Sequence, residues 1–314
     1  MIGSKDQNIM KIKIATSQFP ISADIKKNKL HVIKQMEEAT NSDADVIHFP
    51  ESSLSGHAGI DFESFENFDW ALLKSATLEI IAAAKAFSIW VILGSAHRLT
   101  KPNKPHVSLY IINDSGEIVD RYDKMFCAGS IGEDDEELKH YASGNDFCNF
   151  EIKGIKCGVQ ICHEYRYPEL YRVHKKKGAQ IMFHSFHAGN MTPTRQEAMK
   201  NQVGKEFHHL NFGNTLPEIT MPATMTSYAA NNYVWISCSN TSGLESCWAS
   251  FMVRPDGVTV GKLQKNETSL LITEIDTSIQ YYDSTLAWRR RAMDGQYHSG
   301  SLVEDGRSRD KVGL

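Results

Sequence analysis

The strongest constraint on the fold is the alternation of short apolar segments with helical segments along the whole chain of 314 residues. Short apolar or alternating runs predict strands, and apolar residues at helical spacing predict helices. The predicted strands are Met10–Gln18, Asp45–Phe49, Ile89–Gly94, Val107–Ile112, Ile118–Tyr122, Phe147–Ile152, Cys157–Ile161, Gln180–His184, Tyr233–Ser237, Trp248–Val253, Val258–Gly261 and Ser269–Glu274. The predicted helices are Asn28–Ala39, Leu72–Phe87, Pro168–Lys177, 194–212 and 222–231.

The order of these elements is strand, helix, strand, helix, strand and then hairpins, and the second half of the chain repeats this pattern. Because strands and helices interleave throughout, the predicted class is α/β. Two similar halves favour two sheets packed face to face, with helices on the outside. We interpret residues 10–280 as one domain, between an N-terminal extension (1–9) and a C-terminal tail (281–314).

Composition and charge exclude several classes of protein. A formal net charge of −4 is unlike the basic surface of a nucleic-acid binder, so no nucleic-acid partner is expected. The six cysteines form no CxxC pair, which argues against a disulfide framework or zinc ribbon and favours a reducing, cytoplasmic location. The apolar stretch at 79–96 contains Lys85 and Ser88, so it predicts a helix end and a strand rather than a membrane span.

Three reactive side chains follow predicted strands. Glu51 comes after Asp45–Phe49, Lys124 after Ile118–Tyr122, and Cys162 directly after Cys157–Ile161. Ligands of α/β sheets gather beyond the carboxyl ends of strands, so an acid, an amine and a thiol at three such ends indicate a single site. Each residue alone also has a simpler interpretation, as a buried small side chain for the cysteine or a solvated charge for the other two.

The chemistry of these three groups is coherent. A thiol is a strong nucleophile once a base removes its proton, and Glu51 is placed to take that proton and return it to a leaving amine. Lys124 would stabilise the oxyanion of a tetrahedral intermediate, an effect worth about 3 kcal/mol per good donor. The product of the first step would be a thioester, which water then cleaves.

Competing motifs are weaker. The chain has no GxSxG, GxxxxGK[ST] or GxGxxG, so a serine-hydrolase elbow, a P-loop and a dinucleotide fingerprint are unsupported. His184 and His187 resemble a metal pair but have no acidic partner at ligand spacing in the sequence, so we expect no metal and no cofactor.

The strand-end segments resemble the signature blocks of the nitrilase superfamily, the carbon–nitrogen hydrolases. These segments are Phe49–His57, Arg121–Lys124 and Gly158–Glu169. Further similarity runs from Ala15–Gln18 to Glu274–Asp276, in the order of the family and over about residues 10–280. Three blocks with the right residues in the right order make the resemblance specific.

The resemblance implies a four-layer α-β-β-α sandwich. It assigns Glu51 as general base, Lys124 as oxyanion stabiliser and Cys162 as nucleophile, with the backbone N–H of His163 completing the oxyanion hole. The family also tends to carry a second catalytic Glu shortly before a Tyr-x-x-Gly element, here Tyr141–Gly144. Glu137 is the best-placed acid for that role, with Glu133 and Glu136 as alternatives. His163 and His187 are the expected substrate-binding residues.

The residues after the nucleophile favour the amidase-like branch. Arg166–Glu169 matches the amidase pattern, whereas nitrilases proper usually carry Trp at the position of His163. The expected reaction is hydrolysis of a non-peptide C–N bond in a small amide or N-carbamoyl compound. Nitrile hydrolysis, acyl transfer to an amine and a non-catalytic oligomeric binding protein remain as alternatives.

The C-terminal tail points to self-association. In this family the last segment often crosses onto a partner subunit, so the resemblance implies a homodimer or a higher homo-oligomer, with the tail at the interface. The preference for a structural role of Arg166 over contact with a substrate carboxylate is a further expectation.

Overall fold

The computed structural model describes residues 11–129 and 136–313. The strands are β1 (Lys11–Gln18), β2 (Val46–His48), β3 (Trp90–His97), β4 (His106–Ile112), β5 (Ile118–Asp123), β6 (Asn149–Ile152), β7 (Ile155–Ile161), β8 (Ile181–Ser185), β9 (Trp235–Ser239), β10 (Phe251–Val253), β11 (Thr259–Lys262) and β12 (Ser269–Asp276). The helices are α1 (Ile25–Asn41), α2 (Trp70–Phe87), α3 (Pro168–Lys176), α4 (Pro193–Val203), α5 (Leu216–Asn232), α6 (Arg289–Met293) and α7 (Gly306–Arg309). Three 3₁₀ turns cover Glu136–Lys139, Cys162–Arg166 and Lys205–Leu210.

These strands form two six-stranded sheets with matching topology. The first has the order β12-β1-β2-β3-β4-β5, and the second has the order β11-β10-β9-β8-β7-β6. In each, the three central strands are parallel and the outer strands are antiparallel. The likeness of the two halves, predicted from the order of elements, is therefore confirmed, and β12 returns to pair with β1.

The alternating residues of β8 show how the layers stack. Ile181 and Phe183 join the core that contains the first sheet, whereas Met182 between them joins a second core with residues of α5. Successive side chains of a strand point to opposite faces, so β8 packs against the other sheet on one side and a helix on the other. The predicted four-layer arrangement of the α/β fold is confirmed.

Buried hydrogen bonds join the two sheets near the ends of their parallel strands. His48 lies at the end of β2, and its Nδ1 and Nε2 are each 2.8 Å from a serine hydroxyl of the opposite sheet, Ser237 and Ser185. Burial lowers the pKa of His48 well below its usual value, so the ring is neutral. This polar bridge holds the sheets together beside Glu51, three residues further along.

Helix boundaries differ from the predicted ones where capping residues decide them. Helix α1 begins at Ile25 rather than Asn28 because the Asp24 side chain caps it, accepting from two backbone amides. The segment predicted as one helix at 194–212 ends its α-helical part at Val203, because Gly204 adopts a φ of +84°. Helix α5 starts at Leu216 and continues through Pro222, where the sequence predicted a start.

The tail after β12 first folds back on the same chain. Arg289 of α6 donates to both oxygens of Asp283 at 2.7 and 2.8 Å, and its guanidinium lies 5.5 Å from the ring centre of Tyr233. Arg289 is thus paired within the chain, whereas Arg290 is exposed. Among residues 11–129 and 136–313, none of the helices combines the length and the apolar character that crossing a bilayer requires.

Candidate active site

The three strand-end residues lie where the sequence placed them. Glu51 follows β2, Lys124 follows β5, and Cys162 begins the 3₁₀ turn after β7. Cys162 has a φ of +44°, a left-handed conformation that non-glycine residues rarely adopt. Such strained residues are held by surrounding structure and cluster at functional sites, and this sharp turn presents the thiol at the strand end.

Two glycines allow the close approaches that position this site. A Cβ on Gly94 of β3 would lie 2.1 Å from the carbonyl oxygen of Pro50, so only glycine lets the segment with Glu51 lie against β3. A Cβ on Gly144 would lie 2.3 Å from the carbonyl oxygen of Asp123, and the Gly144 amide donates to the Lys124 carbonyl at 2.8 Å. The Tyr-x-x-Gly element therefore braces the segment that carries Lys124.

A buried cluster of charges joins three segments of the chain. Lys124 Nζ lies 2.8 Å from Glu51 Oε1 and 2.6 Å from Glu137 Oε1, and all three side chains are at most 7% exposed. Burial lowers the pKa of Lys124, but Glu137 and Glu51 raise it more, so the amine stays protonated. Glu51, His57 and Glu137 offer possible metal-ligand atoms within 4.8 Å of one another, and the Lys124 ammonium group already contacts both carboxylates of this group.

Two of the candidates for the second glutamate, Glu136 and Glu137, differ in burial and contacts. Glu137 is buried and contacts Lys124 and His57, whereas the neighbouring Glu136 is exposed. Glu133, the third candidate, lies outside the described residues. Burial raises the pKa of Glu137, but the combined effects of Lys124 and His57 lower it by more, so the pKa lies below the usual carboxyl value. Glu137 is therefore an anion, held by Lys124 and His57.

The thiol of Cys162 is protonated at rest. Burial and Glu51 raise its pKa well above the usual value, against the lowering effects of Lys124 and of the His187 amide. Since the thiolate is the nucleophile, a base must remove the proton as the bond to the substrate forms. The remaining cysteines, like Cys162, form no disulfide.

His163 and His187 both border a cavity of about 1020 Å³ that also contains Glu51, Glu137 and Cys162. The His163 ring is half-buried, with Nε2 3.3 Å from the Tyr167 hydroxyl. The His187 backbone amide donates to Glu51 Oε2 at 3.0 Å, which fixes the rotation of that carboxylate. The side chain of His187 is fully buried and points to Asp61, so its contribution to the cavity surface is its backbone.

Two residues that the sequence did not single out join the site from the loop after Glu51. His57 Nε2 lies 2.9 Å from Glu137 Oε1. Asp61 Oδ2 accepts from His187 Nε2 at 2.7 Å and from the His57 amide at 2.8 Å. The sequence had suggested that His187 lacks an acidic partner; Asp61 is that partner, 126 positions away.

Glu164 is a third residue that the sequence did not single out. Its carboxyl group accepts from the Tyr122 hydroxyl at 2.6 Å, the Met125 amide at 2.7 Å and the Ile161 amide at 2.7 Å. Met125 follows Lys124 and Ile161 precedes Cys162, so one buried side chain ties together the two segments that carry the amine and the thiol. Only its position after the nucleophile could have indicated this role.

His184, considered with His187 as a metal pair, is committed to other partners. Its Nε2 lies 3.1 Å from the Cys162 carbonyl oxygen, and its Nδ1 lies 2.8 Å from the Tyr171 hydroxyl. Burial lowers its pKa to about 3, so the ring is neutral. It supports the turn at Cys162 rather than a metal.

A family model confirms the resemblance that the sequence motifs indicated. The model described as "Carbon-nitrogen hydrolase" matches residues 13–282, most of the chain. The chain belongs to the carbon-nitrogen hydrolase family. The match contains Glu51, Lys124, Glu137 and Cys162.

Curated relatives carry amidase names. A 2-oxoglutaramate amidase of Bacillus subtilis is 27% identical over 174 residues, which cover 55% of this chain and 64% of the relative. A deaminated glutathione amidase of Dictyostelium discoideum is 32% identical over 171 residues, covering 51% of this chain and 59% of the relative. The chain thus spans less than two thirds of the length of these relatives.

Solved structures confirm the fold. An amidase from Nesterenkonia sp. superposes with a TM-score of 0.68 at 17% identity, covering 91% of this chain and 96% of that chain. At this identity the likeness concerns the architecture of the two sheets and their helices.

Proposed function

We propose that this protein hydrolyses the C–N bond of a carboxylic acid amide through a thioester on Cys162. The observation that carries the proposal is the placement of the strained Cys162 in one cavity with Glu51 and Glu137, the two carboxylates that hold Lys124. Family membership and the amidase names of the curated relatives support it.

In the first step the sulfur of Cys162 bonds to the substrate carbonyl carbon, and the thiol proton passes to Glu51. The carbonyl π electrons move to oxygen, and the resulting oxyanion is stabilised by the Lys124 ammonium group and the His163 amide. The C–N bond then breaks as Glu51 returns the proton to nitrogen, which releases ammonia and leaves the thioester. Water attacks the thioester with Glu51 again as base, yielding the carboxylic acid and the free thiol.

The hydrogen bonds support Glu51 over Glu137 as the base. Glu137 is contacted by Lys124 Nζ, His57 Nε2 and the Ala128 amide, whereas Glu51 is contacted by Lys124 Nζ and the His187 amide. Donors to the charged form disfavour protonation of a carboxylate, and Glu137 has more of them. In this proposal Glu137 stays ionised throughout and orients Lys124.

The test is ammonia release from a panel of aliphatic amides, N-carbamoyl compounds and nitriles of matching carbon skeleton. We expect turnover of amides, and loss of that turnover in Glu51→Gln. Turnover of nitriles alone would favour nitrile hydrolysis, and hydroxamate formation that outcompetes hydrolysis when hydroxylamine is added would favour acyl transfer. Absence of turnover, with Cys162 alkylated no faster than the other cysteines, would favour a non-catalytic binding protein.

The cavity supports an amide that also carries a carboxylate. Arg166 and Arg195 border it with exposed side chains, and neither forms an ion pair within residues 11–129 and 136–313. The Arg166 guanidinium stacks on the Tyr165 ring at 4.8 Å. A purely structural ion pair would need an acidic partner for Arg166, and the described residues contain none. We expect Arg195→Ala to raise KM by up to about fivefold for amides of dicarboxylic acids but not for neutral amides of equal length, since an ion pair on an exposed arginine is worth about 0.2–1 kcal/mol. Lys200→Ala, on the same helix, is the control.

The location and assembly of the protein form part of the same proposal. Six free cysteines and a thiol nucleophile are suited to the reducing cytoplasm. Leu286, Tyr297 and Leu302 of the tail are 71–87% exposed, which supports burial against a second copy of the chain. Light scattering of the full chain tests this assembly, and a monomer at micromolar concentration would contradict it.

A further inference from the structure

The protonation of His57 follows from its two hydrogen-bond partners. The ring is buried, with Nε2 2.9 Å from Glu137 Oε1 and Nδ1 2.8 Å from the Ala58 carbonyl oxygen. A neutral imidazole has one N–H and so donates to only one of two acceptors. A ring that satisfies both contacts carries a proton on each nitrogen and is an imidazolium.

The alternative, a proton on Glu137 shared with a neutral ring, conflicts with the other contacts of that carboxyl group. Oε1 also accepts from Lys124 Nζ at 2.6 Å, and Oε2 accepts from the Ala128 amide. Lys124 Nζ and the Ala128 amide can only donate to Glu137, which favours the carboxylate. The proton therefore belongs to His57.

This assignment makes the buried cluster electrically balanced. Glu51 and Glu137 carry two negative charges, and Lys124 and His57 carry two positive charges. With a neutral His57 the cluster would have an excess negative charge directly beside the thiol. The tetrahedral intermediate adds another negative charge to this region, so an excess anion there would oppose its formation.

The other charged and titratable groups around His57 act in both directions. Asp61, from the same loop, accepts a hydrogen bond from the His57 amide and adds a third nearby carboxylate. The rings of Tyr141 and His187 lie 5.0 and 5.9 Å from the His57 ring, and His140 lies in the same region. Burial lowers the pKa of His57, the two glutamates raise it and Lys124 lowers it, with a raised pKa as the result.

We propose, on the basis of the function proposed above, that His57 is a positioning residue that acts in its protonated form and whose deprotonation limits turnover at alkaline pH. The imidazolium fixes Glu137 as an anion, and Glu137 in turn holds Lys124 between the two glutamates. A neutral ring would place a nitrogen lone pair against either Glu137 or the Ala58 carbonyl, so one buried contact would become repulsive. The side chains of Glu137 and Lys124 would then move from their present positions relative to Cys162.

The first test is the ionisation of His57 itself, which does not depend on enzymatic activity. Histidine is labelled with ¹⁵N, the ring resonances of His57 are assigned through their Cβ, and their shifts are followed from pH 6 to 10. The proposal predicts two protonated ring nitrogens at pH 7. Shifts of a neutral tautomer at pH 7 would overturn the proposal, whether or not the protein is an amidase.

The second test is the pH profile of kcat on an amide that the wild type hydrolyses. The wild type should lose activity at alkaline pH, in step with the NMR titration of His57. His57→Gln should have a kcat at least tenfold lower than wild type at pH 7, with an unchanged KM. Its kcat should not fall further at alkaline pH, because glutamine donates to Glu137 but does not titrate. His209→Gln, at an exposed histidine that does not line the cavity, should keep the wild-type profile. An unaltered alkaline limb in His57→Gln would refute the proposal.

Discussion

Replacing Glu137 with glutamine removes one charge from the buried cluster and keeps the size of the side chain. The carboxylate accepts from Lys124 Nζ at 2.6 Å, from His57 Nε2 at 2.9 Å and from the Ala128 amide. A glutamine has one acceptor oxygen, so its NH₂ group must face at least one of these donors. Lys124 and His57 would then share the charge of Glu51 alone.

The expected cost follows from these contacts. A buried donor left without an acceptor costs about 1–3 kcal/mol, and removing one partner of a buried ion pair costs about 3–5 kcal/mol. We therefore expect a loss of about 3 kcal/mol or more in the free energy of unfolding at pH 7. Because the pKa of Glu137 lies below that of an unfolded carboxyl group, this difference should shrink as the pH falls and the carboxylate is protonated.

The effect on activity should exceed the effect on folding. Lys124 loses one of the two anions that orient it, and a misplaced oxyanion donor lowers kcat by about 10²–10³-fold. The assay is kcat and KM on an accepted amide, with urea unfolding to measure stability. Glu136→Gln is the matched control, since this exposed neighbour lies in the same turn. The reasoning is refuted if Glu137→Gln keeps kcat within threefold of wild type, or if Glu136→Gln loses more.

Three further predictions concern groups that position the site. Burial raises the pKa of Glu164 to about 7, above its unfolded value, so its contribution to stability is full at low pH and is lost as the pH rises through about 7. Urea unfolding from pH 5 to 8.5 should therefore show a steeper loss of stability with pH in wild type than in Glu164→Gln, by up to about 1.4 kcal/mol per pH unit, and equal slopes would contradict this. Gly94→Ala should destabilise the protein by about 3 kcal/mol and abolish turnover, because its Cβ would lie 2.1 Å from the Pro50 carbonyl oxygen. A variant with normal melting and kcat would show that the close approach of β3 to the Pro50 segment is not required. Asp61→Asn should lower the free energy of unfolding by about 2 kcal/mol and kcat about tenfold, since the new NH₂ group must face the His57 amide, His187 Nε2 or Asn190 Nδ2. Thermal melting and initial rates measure the two effects, and unchanged values would rule out a role for this carboxylate.

The parts of the fold that the sequence predicts are those with a local periodic signal. The segment Ile89–Gly94 is a continuous apolar run, because parallel strands are covered on both faces. A reactive residue that directly follows a short strand, such as Cys162, stands out from such a pattern. The starts of α1 and α5 were misplaced because the Asp24 and Thr215 caps act through a single side chain, which leaves no periodic pattern.

The contacts of His57 and Asp61 could not be predicted from the sequence, for a different reason. Both residues lie in a non-repetitive loop, and their partners Glu137 and His187 are 80 and 126 positions away. No local pattern encodes such pairings, which depend on how two loops meet above the sheets. The same holds for the choice between Glu136 and Glu137, because only the burial of the 3₁₀ turn separates two adjacent carboxylates.

The most direct test of the central claim is the rate of ammonia release by Cys162→Ala on an amide that the wild type hydrolyses, measured beside Cys127→Ala. Cys127 is half-buried, with burial raising its pKa to about 11, and takes no part in the proposed reaction. Removing the nucleophile should lower kcat by about 10⁴-fold or more, as for other covalent catalysts, while Cys127→Ala keeps the wild-type rate. Turnover by folded Cys162→Ala within tenfold of wild type would contradict a thioester mechanism at this site.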